Sequence, residues 1–358
     1  MLNPNDGDEA ASVPPGDTQA NEAAGSAASS GTTPIDPRQL VQALKAFNDP
    51  QPWRSGFELA ITLVSFVFLS WIMLAAVGAG YLLALVLTVP AGLFLLRVFL
   101  IQHDCGHGAF LPGRSSNDWL GRALGVLTLT PYDCWRRSHA LHHAGTGNLD
   151  RRGLGDVDTL TVREFQSLSR FKQILYRIYR HPVILFGLGP AYLFLLRHRL
   201  PIGLMKAGTV YWVSAIATNA LLALLLAALA IQFGIGAVVL VVLPVVLFAA
   251  SVGVWLFYVQ HQFEATHWHQ DAEWSFHDAA FRGSSHLDLP PVLRWFTANI
   301  GVHHVHHLAS RIPFYRLPEV LRAYPHLRTI NRLTAPQTIG TLRLALWDED
   351  QRRLIPFQ

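Results

Sequence analysis

The chain has 358 residues, enough for one large domain or two ordinary ones. Hydrophobic residues make up 51% and charged residues 15%, with a mean hydropathy of +0.27, whereas soluble domains carry about 25% charge. This composition excludes a disordered, collagen-like or disulfide-scaffold chain and points to a membrane protein. The net charge is +4, with 28 Lys and Arg of which only Lys45, Lys172 and Lys206 are lysines, and nothing in that bias calls for nucleic acid. Cys105 and Cys134 are too few for a disulfide framework or a cysteine zinc site. Histidine is the anomaly, with 17 copies, most of them clustered.

Residues 1–35 are Ala, Ser, Gly, Pro, Asn and acidic residues with almost nothing to bury, and are expected to be a disordered tail. No basic segment precedes an apolar core there, so a signal peptide is not expected. Asp36 reads as an N-cap, with Pro37 at the first helical position and Gln39 completing a capping box. Leu40, Leu44 and Phe47 then share a helix face, giving residues 36–58 an amphipathic, interfacial character, with a short packing helix as the equal alternative.

Between Leu59 and Leu96 the only ionisable side chain is Tyr81, and the stretch is about twice the length of one span. It reads as a helical hairpin turned at Gly78-Ala79-Gly80, with Pro90 kinking the second helix. A second hairpin runs from about Gly208 to Tyr258 and turns at Gln232–Gly236. The apolar run His181–Leu196 is broken by Pro182, Gly187, Gly189 and Pro190, so it reads as re-entrant or interfacial. The fold class expected is an all-α membrane protein. Its domain, 59–358, has four spans near 59–78, 81–101, 208–231 and 237–259, and a cytoplasmic helical cap from 102–207 and 260–358. Neither hairpin turn carries Lys or Arg, so the positive-inside rule places the cap and both termini in the cytoplasm.

Three histidine clusters follow. His103 and His107 are one helical turn apart; His139, His142 and His143 share a face at i, i+3 and i+4; His303, His306 and His307 repeat that spacing, with His304 pointing elsewhere. Each cluster is expected on a short helix at one membrane surface. Eight imidazoles are too many for one metal of ordinary coordination and sensible for two. A structural zinc would need only four ligands, and imidazole alone suits iron, copper, zinc or nickel. A histidine-rich metal transporter would place its ligands near the bilayer midplane, where this chain offers only isolated groups such as Ser65, Thr218 and Asn219.

These boxes resemble those of the integral-membrane fatty acid desaturase family, from about Trp53 to the C-terminus. His103-Asp104-Cys105-Gly106-His107-Gly108 and the run Asn299–Leu317 are similar to the acyl-lipid, methyl-end (omega-6, delta-12 type) branch. The resemblance implies a di-iron centre held by His103, His107, His139, His142, His143, His303, His306 and His307. O2 would be the co-substrate, a membrane lipid acyl chain the substrate, and a ferredoxin or cytochrome b5-like protein the separate electron donor. It implies a bacterial inner-membrane location. His261, at the end of the fourth span, resembles a recurring family ligand, with His267 and His269 as alternatives. Asp104, Asp133, Asp156, Asp158 and Glu264 are candidates to orient ligand imidazoles, and Asn299 to hold a water on an iron. Trp119, Trp135, Trp268 and Trp274 are expected in an interfacial aromatic belt. The rival on the same scaffold is a di-iron hydroxylase, carotenoid oxygenase or alkane monooxygenase.

Overall fold

The computed structural model describes residues 37–153 and 155–357; the expected tail over 1–35 and the Asp36 cap lie outside the described residues. The chain begins with α1 (Pro37–Leu44) and then α2 (Pro52–Gly78), whose first turn holds a proline where no amide partner is needed. A tight turn at Ala79-Gly80 leads into a 3₁₀ segment, Leu82–Leu87, and then α3 (Thr88–His107). Gly80 takes φ +92° there, a conformation open to glycine. Pro90 sits in the first turn of α3, so the irregularity within the apolar helix Leu82–His107 takes the form of a change from 3₁₀ to α geometry just ahead of the proline.

Beyond the first hairpin, α4 (Arg114–Leu127) and α5 (Tyr132–Gly145) fold back beside it. The next helices are α6 (Val162–Ser167), α7 (Arg170–Arg180) and α8 (Gly189–Leu195). The broken run 181–196 forms a π-turn and the short α8, neither long enough to span. The second hairpin is α9 (Thr209–Phe233) and α10 (Ile235–His261), joined by Gly234 alone. After it come α11 (Phe276–Arg282), α12 (Pro291–Phe296), α13 (His303–Leu308), α14 (Leu317–Ala323) and α15 (Gln337–Thr341).

Among the described residues, four helices are long and apolar enough to cross a membrane: Pro52–Gly78, Leu82–His107, Thr209–Phe233 and Ile235–His261. α10 and α3 are the inner pair, packed closely on each other; a Cβ at Gly92 would lie 2.5 Å from the Phe248 ring. α2 and α9 turn large apolar side chains such as Phe68, Trp71, Ile216 and Leu224 outward, as lipid-facing helices do. The cap adds two small sheets that the helical pattern did not foretell. β1 (Leu160–Thr161) pairs with β4 (Leu344–Asp348) and that with β5 (Arg353–Pro356), while β2 (His286–Asp288) runs parallel to β3 (Arg332–Thr334). α1 buries Leu40 and Leu44 against Val302, Val305, Leu308 and Leu317. Its apolar face is therefore spent on the protein, and the packing-helix alternative is the one seen.

One buried ion pair fastens the first hairpin. Glu58 and Arg97 bracket the apolar stretch in the sequence, and in the fold their side chains, each 1% exposed, lie 2.5 Å apart. Arg97 also donates to Thr62 Oγ1 and to the Trp295 carbonyl, and Arg54 reaches the other Glu58 oxygen. Removing Glu58 strands the Arg97 charge in a low-dielectric interior, at a cost of about 3–5 kcal/mol, whereas removing both spares that penalty. Glu58→Gln should therefore lower the unfolding temperature of the detergent-solubilised protein substantially, and Glu58→Gln/Arg97→Met should recover much of the loss. Equal destabilisation by the single and double variants would show that the pair acts through packing alone.

Candidate metal centre

The histidines come from four helix ends or short helices. His103 and His107 occupy the last turn of α3, so the first box belongs to the second span itself and not to a separate short helix. α5 presents His139, His142 and His143, α10 ends on His261, and α13 is little more than the third box. The backbone at Ser285 ties two of these together: its N–H donates to Gln260 O (2.9 Å) and its carbonyl accepts from His303 N (3.2 Å).

The side chains form two groups, each with its ligand atoms within 4.8 Å of one another. One holds His103, His107, His139, His143 and His306; the other holds His142, His261, His303 and His307. Boxes two and three are each divided between the groups. At about 100° per residue, positions i and i+4 stay within about 40° of each other, while i+3 falls on the other side. So His139 and His143 face one centre and His142 the other, and α13 does the converse with His303 and His307 against His306. The two groups touch where His143 and His307 stack, ring centroids 4.0 Å apart.

In the first group the Nε2 atoms of His107 and His139 are 3.0 Å apart, those of His139 and His143 3.1 Å, and those of His143 and His306 3.2 Å. In the second, His261 Nε2 lies 3.1 Å from that of His142 and 2.9 Å from that of His303, with His303 and His307 at 3.1 Å. Nitrogens held about 2.1 Å from one ion at right angles would be about 3.0 Å apart. Burial and the neighbouring imidazoles hold His139, His143, His303, His306 and His307 well below the usual histidine range, so these rings are neutral and offer lone pairs. The donor set therefore fits two imidazole-bound metal ions.

Three of the remote nitrogens have partners that fix the tautomer, while Nδ1 of His303 and of His307 is buried without one among the described residues. His142 Nδ1–H donates to Asp156, His103 Nδ1–H to Asp104 Oδ1 at 3.4 Å, and His261 Nδ1–H to the Gly283 carbonyl at 3.4 Å. The other oxygen of Asp104 accepts from Phe314 N at 2.7 Å. The remaining candidates are elsewhere. Glu264 is exposed and pairs with Arg353, because α10 stops at His261 and the i+3 relation does not hold beyond it. Asn299 has φ +52°, in a left-handed turn before α13, and its amide donates to Phe314 O. Asp133 forms a two-pronged pair with Arg122, and Asp158 has no histidine partner among the described residues. His267 and His269 join neither group. His304 is fully buried against His286 and Phe281, and burial holds it down to about 3.

The aromatic residues divide as well. Trp119 is exposed, as a belt residue would be, but Trp135 stacks on His139 with ring centroids 4.7 Å apart and fills the space a Cβ on Gly106 would take. Trp268 is buried against Trp347, and Trp274 donates to Thr146 O. Phe257 covers His142 and His261. The sequence offered no signal for the Trp135 and Phe257 contacts, since both residues read equally well as membrane aromatics.

Comparison with known proteins matches the fatty acid desaturase family model to residues 79–333. A fatty acid desaturase of Bacillus subtilis is 40% identical over 321 residues, covering 90% of this chain and 91% of the relative. An sn-1 oleoyl-lipid 12-desaturase of Synechocystis is 27% identical over 256 residues, covering 69% and 72%. An sn-1 acyl-lipid omega-3 desaturase (ferredoxin) of the same organism is 34% identical over 105 residues, 28% of each chain. With four apolar helices, a bipartite histidine cluster and this likeness over nearly its whole length, the chain belongs to the fatty acid desaturase family and is an oxidoreductase of that family.

Proposed function

We propose that the chain introduces a double bond of the omega-6, delta-12 type into a membrane lipid acyl chain, using two irons held by the five- and four-histidine groups. The observation that supports this reading is the division of nine imidazoles into two groups, the ligand atoms of each lying within 4.8 Å of one another. The acyl-lipid and 12-position assignments draw support from the Synechocystis 12-desaturase, and the ferredoxin dependence of the omega-3 relative supports a ferredoxin or a comparable small carrier as separate electron donor. The reaction consumes O2, two electrons and two protons, converts a saturated carbon pair to an alkene and releases two waters. An iron pair, when bound, supplies the O2-dependent removal of hydrogen from unactivated methylenes.

The chain's own residues bind and exclude. Neutral imidazoles supply the lone pairs; Asp156, Asp104 and the Gly283 carbonyl keep the Nδ1 protons away from the metal side. Trp135 and Phe257 cover His139 and the His142–His261 pair with apolar surface, which keeps water from their faces. α3 and α10 carry ligands at the ends of membrane-held helices, a firmer platform than loops. The arginine-rich cap faces the cytoplasm of a bacterial inner membrane in this reading.

Purified protein should hold about two irons per chain. His142→Ala and His306→Ala, one from each group, should each abolish desaturation and lower iron content while the protein still inserts. His261→Ala should match His303→Ala, and His267→Ala and His269→Ala should keep full iron. A single zinc and no iron would overturn the di-iron assignment, and full iron in His261→Ala would remove that ligand. In a background with Cys105 and Cys134 replaced by Ala, cysteines at Ser115, Ser167 and Thr329 should react with an impermeant maleimide only after permeabilisation, and one at Gln232 should react from outside; the reverse pattern would invert the topology. Expression in a host without polyunsaturated lipids, with mass spectrometric location of new double bonds, should find them at carbon 12. Another position would discard the omega-6, delta-12 type and leave the family intact.

A further inference from the structure

A second polar feature lies away from the histidines, a cleft of about 620 Å³ between the start of α2, the middle of α3, α12 and the segment leading into α14. Its volume is that of a small-molecule site. Arg54, Arg97, Arg294 and Arg322 line it, against only Glu58 and Glu319. Both carboxylates are already taken: Glu58 by Arg54 and Arg97, Glu319 by Arg316 at 3.0 Å. Arg97 spends its guanidinium on Glu58, Thr62 and Trp295 and forms a sealed floor. Arg294 and Arg322 have no side-chain ion pair or hydrogen bond among the described residues; Asp288, bound to Arg332, feels Arg294 only at longer range, so the two guanidiniums are the cations of the cleft left without a direct partner.

The surroundings of these cations are apolar and outward-facing. Trp53 in the cleft wall is 70% exposed, and beside the lining residue Pro291 the α12 residues Val292 and Leu293 are 67% and 41% exposed. Arg97 stands about 9 Å along α3 from His103, on the polar side of the first hairpin's apolar stretch. Planar guanidiniums matched to phosphate oxygens, rimmed by interfacial tryptophan and aliphatic side chains, suit an amphiphile with a negative head. We propose that this cleft holds the head-group phosphate of an anionic phospholipid, with its acyl chains against the outer face of the first hairpin. No histidine lines the cleft, whose floor is Arg97, Trp295 and Phe314, so this lipid is assigned as a resident of the fold and not as the substrate. Two wall residues reach the metal centre: Asn299 donates to the Phe314 carbonyl, and Phe314 N–H donates to Asp104 beside His103. An occupant that braces this wall braces the Asp104 carboxylate. The inference rests on the spanning helices and not on the metal or the double-bond position.

The test uses the full chain in detergent micelles, with phosphatidylglycerol, phosphatidylcholine and inorganic phosphate as separate probes. Native mass spectrometry should show one tightly retained phosphatidylglycerol, at least tenfold preferred over phosphatidylcholine, and a rise in unfolding temperature that phosphatidylcholine does not give. Arg294→Gln/Arg322→Gln breaks no internal bond and should fold, yet lose the retained lipid and the stabilisation, while Arg163→Gln keeps both. Equal retention of the two lipids, or an unchanged lipid in the double variant, would overturn the proposal. Equal stabilisation by inorganic phosphate would assign the cleft to a free anion and overturn the lipid.

Discussion

Nine imidazoles must be brought nitrogen to nitrogen in a space from which water is largely excluded, and the rest of the structure is subordinate to that demand. Desolvation holds His139, His143, His303, His306 and His307 well below the usual histidine range, and lone pairs facing one another at about 3 Å repel unless a cation lies between them. No single element could impose such a geometry. Two spanning helices deliver ligands at their ends, and two short helices, α5 and α13, are fastened against them. The Ser285 backbone links α10 to α13, and the two-pronged Asp133–Arg122 pair secures the start of α5. The dividing line between the groups, where His143 and His307 stack, is thus built by helices that are distant in sequence.

Much of this is legible in the sequence, for physical reasons that can be named. Long apolar stretches without charge have few fates, so the four apolar helices are readable to within a few residues except at the start of α2, which reaches back to Pro52 through a turn containing Arg54 and Glu58, and at the end of α3, which runs past the expected 101 to His107. Histidines at i, i+3 and i+4 declare a shared helix face. They do not declare which side of that face meets which neighbour, so the five-and-four division needs the packing. Glu264 lies away from the histidines because α10 and its helical periodicity end at His261, and ahead of His303 the left-handed Asn299 likewise interrupts the helical register. Trp135 is misplaced because an aromatic at a membrane edge and an aromatic against a buried imidazole look the same in sequence.

The Glu58–Arg97 pair shows how charge can be informative by its position. Each residue ends a run of uncharged side chains, and each would be costly alone in an apolar setting. Their union sets the height at which the first hairpin is closed. Arg294 and Arg322 nearby have no directly bonded anion among the described residues, an asymmetry that Asp288, bound to Arg332, offsets only at longer range.

In α3 one unbroken rod both crosses the apolar layer and ends in His103 and His107. Such a rod is a gauge graduated in residues, about 1.5 Å and 100° at a time. Inserting or deleting a residue between Arg97 and His103 would swing both imidazoles a quarter-turn away from their partners, so the helix cannot be lengthened in small steps to reach a different carbon of a flexible chain. A change in the position acted on would then have to come from side chains around the centre, with the gauge itself left at constant length.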